Sequence, residues 1–162
     1  MAYAAWWRGS RGEWYVVVQM VLFVLVAVGP ANWHDWPAWP FPQHVLLAAL
    51  GWILLTGGGL LAAAGAIQVG AKLTALPFPA AGGVLRETGA FRCVRHPMYC
   101  GAIIAALGWA IVRHGWLTLA FAVALFILFD LKTRREELWL RERFTGYAAY
   151  QRRVRKLVPF VY

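Results

Sequence analysis

Charge is scarce in this sequence. Only 14% of its 162 residues are Asp, Glu, Lys or Arg, against 61% hydrophobic residues, and the mean hydropathy is +0.56. Such a composition does not describe a soluble domain. Cysteine is nearly absent, with only Cys93 and Cys100, seven positions apart. That spacing matches neither a redox C-x-x-C pair nor a zinc site, so the pair reads as two reduced thiols. Acidic residues number seven against 16 Lys and Arg, for a formal charge of +9. Basic residues are in turn missing from Gly29 to Gln43, and the connection after Val112 holds only Arg113.

What the chain does have is long apolar runs. Four of them approach the length of a bilayer crossing: Trp14 to Val28, His44 to Val69, Met98 to Val112 and Trp116 to Leu131. The third and fourth are short, about 16 residues each, so a tilted hairpin dipping partly through the membrane is an alternative to full crossing. The fold class expected is therefore an all-α integral membrane protein, a single domain over residues 1–162 with about four transmembrane helices. The basic residues alternate with these runs. Arg8 and Arg11 precede the first, Lys72, Arg86, Arg92 and Arg95 separate the second from the third, and nine follow Asp130. The positive-inside rule then makes both termini and the central loop cytoplasmic. On this reading the basic pI reflects topology and attraction to anionic headgroups, and no nucleic-acid partner is expected. The first run has the basic start and apolar middle of a signal peptide, but Pro30 directly after Ala27 and Gly29 argues against cleavage.

Several stretches read as packing or anchoring features. Trp6, Trp7 and Trp14, and Trp33, Trp36 and Trp39, suit aromatic belts at headgroup depth. His34 and Asp35 are too few to make a metal site. The second run is rich in small residues, Gly51, Gly57, Gly58, Gly59, Ala62, Ala63, Ala64 and Gly65, which allow close helix approach in lipid. The run KLTALPFPAAGGVLRETG reads as an ordered loop. The fourth run continues without a breaker into a basic tail, helical to about Arg143, with Gly146 as an interruption.

The densest polar cluster sits at the start of the third run. Arg92, Arg95, His96, Pro97 and Tyr99 immediately precede the apolar stretch from Gly101 to Val112. Pro97 fits the first position of a helix, where its missing N–H costs nothing, and the first-turn amides of Met98 and Tyr99 then offer an anion site. Glu136 and Glu137 fall on the same membrane face, among many cations. Together these residues suit a zwitterion: arginines and amides for a carboxylate, glutamates for an ammonium or a ribose diol, aromatic faces for a sulfonium. No catalytic triad or metal site is apparent.

At these residues the chain resembles the superfamily of isoprenylcysteine carboxyl methyltransferases and phospholipid methyltransferases, which are integral membrane enzymes. The resemblance runs from about Lys72 to Pro159. It rests on L-x-A-x-P-x-P at Leu73 to Pro79, on L-x-x-x-G-x-F-x-x-x-R-H-P-x-Y-x-G from Leu85 to Gly101, and on E-E-x-x-L from Glu136 to Leu140. A tail with Phe144, Tyr147, Tyr150, Val154 and Pro159 completes it. The resemblance implies methyl transfer from S-adenosyl-L-methionine, held under a cap made by the central loop and the C-terminal helix. It implies a donor site formed by Leu85, Phe91, Arg95, His96, Pro97, Met98, Tyr99 and Glu136. His96, Glu136 and Glu137 become candidates for removing a proton from the acceptor. Three departures stand out. Phe91 replaces the family's Tyr, Phe144-Thr145 replaces its Phe-Gly, and Lys132 replaces an arginine thought to meet the acceptor carboxylate, so a point charge stands where a bidentate fork would.

The function expected is S-adenosylmethionine-dependent methylation of an amphiphilic acceptor, a carboxylate, amine or thiol, in a bacterial plasma membrane, with membrane lipid as the other partner and no metal. An NADPH-dependent membrane reductase of related architecture and a non-enzymatic lipid- or partner-binding protein are the alternatives. The acceptor's identity and the oligomeric state are not legible.

Overall fold

The computed structural model describes residues 12–36, 39, 45–74, 76 and 84–162. Trp6, Trp7, Arg8 and Arg11, and Ala75, Pro77 and Pro79 of the proline motif, lie outside the described residues. Among the described residues the ordered secondary structure is entirely helical: α1 (Glu13–Val28), α2 (Val45–Val69), α3 (Ala90–Cys93), α4 (Pro97–Val112), α5 (Trp116–Arg143) and α6 (Tyr147–Arg153), with a 3₁₀ turn at Gly70–Lys72. The four apolar runs each become a helix. Two of them, α2 with 25 residues and α5 with 28, are long and apolar enough to cross a bilayer, whereas α1 and α4 are apolar but have 16 residues each. At 1.5 Å per residue the shorter pair spans about 24 Å, less than a hydrocarbon core of about 30 Å. The protein is an all-α membrane protein.

Capping sets these limits. Pro97 opens α4 as its sequence position predicts. His114, in the left-handed region at φ 49°, turns the chain between α4 and α5. That turn is tied to the end of α1: Asn32 donates to the His114 carbonyl at 3.2 Å and accepts from the Trp116 amide at 2.9 Å, while Arg113 donates to the Gly29 carbonyl at 2.7 Å. No breaker interrupts α5 at the end of its apolar run, so one helix carries both the core-lining Leu125, Leu128 and Phe129 and the polar residues beyond them.

The closest contact in the fold is between the backbones of α2 and α4, which run antiparallel. Of the many small residues in α2, only Gly51, Gly58 and Gly65 are buried, one every seven positions. A Cβ on Gly58 would lie 2.5 Å from the Gly101 carbonyl oxygen and the Ala105 amide nitrogen. One on Gly65 would lie 2.9 Å from the Pro97 ring, so this seam also fixes where α4 begins. Gly57 and Gly59 have nothing within 4 Å and play no part in it. Without a hydrophobic driving force between helices in lipid, such close backbone packing is what association relies on.

α1 leans on α4 and α5, and its backbone does not come close to that of α2 among the described residues. The space left between α1 and α2 is an apolar cleft of about 320 Å³, floored by Ala102, Ala105 and Ala106 of α4 and flanked by Phe23, Leu55 and Leu125.

The seam makes a sharp distinction testable. Gly58→Val should lower stability by about 1–3 kcal/mol through overpacking, whereas Gly57→Ala should stay near neutral. Thermal melting in detergent measures both, and equal effects would show that the seam is misplaced.

Candidate functional site

The polar residues of the central loop and of the tail meet at one end of the bundle, where α2 finishes, α4 begins and α5 runs on. Gln68, at the end of α2, accepts the Ala90 amide at 3.1 Å and so starts α3. Gly89 precedes it at φ 59°, a conformation that favours glycine, and a side chain there would collide with Gln68. The chain then extends through Val94 to His96. Its backbone is gripped by the tail: the Arg95 amide donates to the Arg155 carbonyl at 2.8 Å and the His96 amide to the Lys156 carbonyl at 3.2 Å.

His96 is buried with both ring nitrogens facing carboxylates. Its Nε2 lies 3.2 Å from Glu137 Oε1 and its Nδ1 4.0 Å from Glu136 Oε1. The ring stacks on Tyr99 at 5.6 Å between centroids, and Tyr99 stacks on Phe129 at 4.5 Å. The Tyr99 hydroxyl donates to Glu136 Oε2 at 3.1 Å. His96, Tyr99, Glu136 and Glu137, all expected at one site, are therefore brought together around the His96 ring.

The two glutamates differ in what surrounds them. Glu137 Oε1 accepts from Arg95 Nε at 2.8 Å, and its Oε2 accepts from Gln151 Nε2 at 2.8 Å. With His96 as well, it is largely taken up in joining the loop, α5 and α6. Glu136 keeps 22% of its side chain exposed, twice the value for Glu137. Arg95, expected to meet an anion, also donates from Nη1 to the carbonyls of Gln151 and Val154. In this structure its guanidinium holds the end of α6.

The remaining predicted residues fall into two groups. Leu85, Phe91 and Met98 are half-buried around the same end, with Leu85 3.8 Å from where a Cβ on Gly146 would lie. The Phe91 carbonyl accepts from the Tyr150 hydroxyl at 2.6 Å, a further tie to α6. Lys132 is fully buried between α1 and α5, where its ammonium donates to Gln19 Oε1 at 2.6 Å and lies 4.9 Å from the Tyr99 ring centre. Gln19 and Gln151 were not anticipated. Gln19 had a signal, because a lone amide within an apolar run marks a polar contact inside the bundle. Gln151 had none, being one polar residue among many in the tail.

A model of the phospholipid methyltransferase family matches residues 46–146, well over half of the chain. The chain belongs to the phospholipid methyltransferase family. Protein-S-isoprenylcysteine O-methyltransferase A of Arabidopsis thaliana is 30% identical over 124 residues, covering 74% of this chain and 62% of that protein. A probable protein-S-isoprenylcysteine O-methyltransferase of Oryza sativa subsp. indica is 35% identical over 75 residues, 45% of this chain and 39% of that protein. The chain thus spans less than two thirds of the length of either relative. These matches agree with the superfamily resemblance seen in the motifs.

Beyond the helical spans, Tyr147 and Tyr150 are buried, and burial pushes both phenols well above their ordinary value of 10.0. Glu137 near Tyr147 adds to the effect, and Arg95 opposes it. A raised value in the folded state contributes stability below the unfolded value that is lost as pH climbs above it. Ultraviolet titration should therefore show these two tyrosines un-ionised at a pH of about 10.5, with the melting temperature falling as pH rises past about 10. Phenolate signals from all six tyrosines at that pH in the folded protein would contradict the burial of α6.

Proposed function

We propose that this protein transfers a methyl group from S-adenosyl-L-methionine to an amphiphilic acceptor whose nucleophile is a carboxylate, amine or thiol. The observation that carries this is the joining of the family's motif residues into one cluster. Tyr99, Glu136 and Glu137 gather around His96 at the polar end of a membrane bundle, beside the loop 84–95 and α6.

The residues present suit this donor. Glu136, whose side chain is 22% exposed, offers a carboxylate for an ammonium or a ribose diol, and the half-buried Tyr99 and Phe91 offer aromatic faces for a sulfonium. Leu85, Pro97 and Met98 supply apolar wall, and Arg95 shapes the site by holding the tail against α5. When bound, S-adenosylmethionine supplies an electrophilic methyl group for in-line displacement. The protein's share of the acceleration is then orientation and exclusion of water, which the loop and α6 provide. Where the acceptor arrives protonated, His96 takes the proton at a ring nitrogen, and the adjoining carboxylates of Glu136 and Glu137 stabilise the imidazolium.

The cleft between α1 and α2 offers the acceptor's hydrocarbon a place beside this cluster. Gln19, Phe23 and Val26 share one face of α1, so the line of the cleft leads toward Gln19 and Lys132. An anionic acceptor group reaching Lys132 takes over the contact that Gln19 now makes. The distribution of Lys and Arg supports a cytoplasmic position for the cluster, where a soluble donor would meet a lipid-dissolved acceptor.

Calorimetric titration of detergent-purified protein with S-adenosylhomocysteine tests the reading. Wild type should bind, and Glu136→Gln and His96→Ala should each weaken binding about tenfold or more, equivalent to about 1.4 kcal/mol. Labelled methyl transfer into lipid extracts then identifies the acceptor. A flat trace from well-folded protein in several detergents and in nanodiscs would overturn the proposal and turn attention to NADPH.

A further inference from the structure

Residues 154–162 form a hook that nothing in the proposed chemistry uses, and they lie beyond the stretch matched by the family model, which ends at 146. The hook closes on itself. The Tyr162 carbonyl accepts the amides of Leu157 at 2.8 Å and Val158 at 2.7 Å. Its inner side is anchored on α5. Leu157 enters the apolar core, and the Lys156 ammonium pairs with Asp130 Oδ1. The Tyr162 hydroxyl donates to the same Asp130 oxygen at 2.8 Å and accepts from Lys156 Nζ at 2.8 Å. Asp130 Oδ2 is held from the other side by Arg134 at 2.7 Å.

Two of these groups are charged and buried, with side-chain exposures of 9% for Lys156 and 12% for Asp130. Removing one partner of such a pair strands the other, so the contact is decisive for where the hook sits. The backbone of Lys156 is also the acceptor for the His96 amide, and that of Arg155 for the Arg95 amide. Asp130 and Glu137 stand seven positions apart on α5, two turns along one face. The tail is therefore pinned to that helix twice. The Glu137 pin acts through Arg95 and Gln151, and the Asp130 pin through Lys156 and Tyr162.

We infer that Asp130, Lys156 and Tyr162 form a positioning cluster that sets the place of His96 between Glu136 and Glu137, acting through the Lys156 carbonyl. None of the three touches the reacting groups. The consequence for catalysis rests on the function proposed above, whereas the placement of His96 does not.

The test therefore has two readouts. Histidine-selective NMR of the full chain in detergent follows the ring of His96, assigned among the four histidines by its loss in His96→Gln. Calorimetry with S-adenosylhomocysteine follows the donor site. Lys156→Met should move the His96 resonance and weaken binding about tenfold, and Lys156→Arg should restore both. Tyr162→Phe removes one hydroxyl without changing charge, so its smaller shift reports placement rather than the field of a lost ammonium. Tyr162→Phe also serves where Lys156→Met fails to fold. An unmoved His96 resonance in folded Lys156→Met, or in folded Tyr162→Phe where the first does not fold, would overturn the inference. If wild type binds no S-adenosylhomocysteine, the proposed function fails, and the resonance alone still decides the role of the hook.

Discussion

The structure depends on the need of α5 to find partners for the charges it carries out of its apolar half. Asp130, Lys132 and Glu137 are all buried on a helix that never breaks as the sequence turns from Leu and Phe to ionisable residues. Leaving any of them unpaired in a low-dielectric interior costs far more than a helix of this length recovers by forming. Each is answered from a different element. Gln19 of α1 meets Lys132, Arg95 and His96 at the entrance to α4 meet Glu137, and Lys156 and Tyr162 of the tail meet Asp130. The tertiary arrangement of the polar end follows from satisfying α5.

The glycine seam between α2 and α4 does a complementary job. It carries no chemistry, but by bringing Gly65 against Pro97 it fixes the height at which α4 starts. His96 and Tyr99 then face Glu136 and Glu137 on α5. A seam shifted by one helical turn, about 5.4 Å, would carry His96 out of reach of both carboxylates. Because Gly51, Gly58 and Gly65 are the buried residues of α2, most of its surface faces outward, and the backbone of α1 stays apart from it with the apolar cleft between them.

Much of this was legible in the sequence. The limits of α1, α2 and α4 follow from apolar runs and from Pro97, and the end of α5 and the break at Gly146 follow from the loss of breakers and their return. The pairing of the His96 segment with the Glu136-Glu137 pair was legible from shared motifs and a shared membrane face. What could not be read is which partner each charge chooses. Arg95 has as sequence neighbours the residues of an anion site, yet its donors go to Glu137, Gln151 and Val154, which are 42 to 59 positions away. Gln19 and Lys132 are 113 positions apart. Composition within α2 misled in the same way, since eight small residues looked equivalent and the crossing of α4 buries only three of the glycines. Local pattern sets helices, whereas these choices belong to packing.

The adjacent glutamates show how packing divides a motif into roles. Neighbours on a helix point about 100° apart, so Glu136 and Glu137 meet on opposite sides of the His96 ring and otherwise face different partners. Glu137 turns toward the loop and tail, and its two oxygens answer Arg95, His96 and Gln151. Glu136 turns toward α4, where the Tyr99 hydroxyl is its hydrogen-bond donor and His96 lies at 4.0 Å. The more heavily bonded carboxylate fixes the histidine, and in the proposed function the other, with Tyr99 as its hydrogen-bond donor, is the one that takes a ligand. His96, lying between both, connects the two.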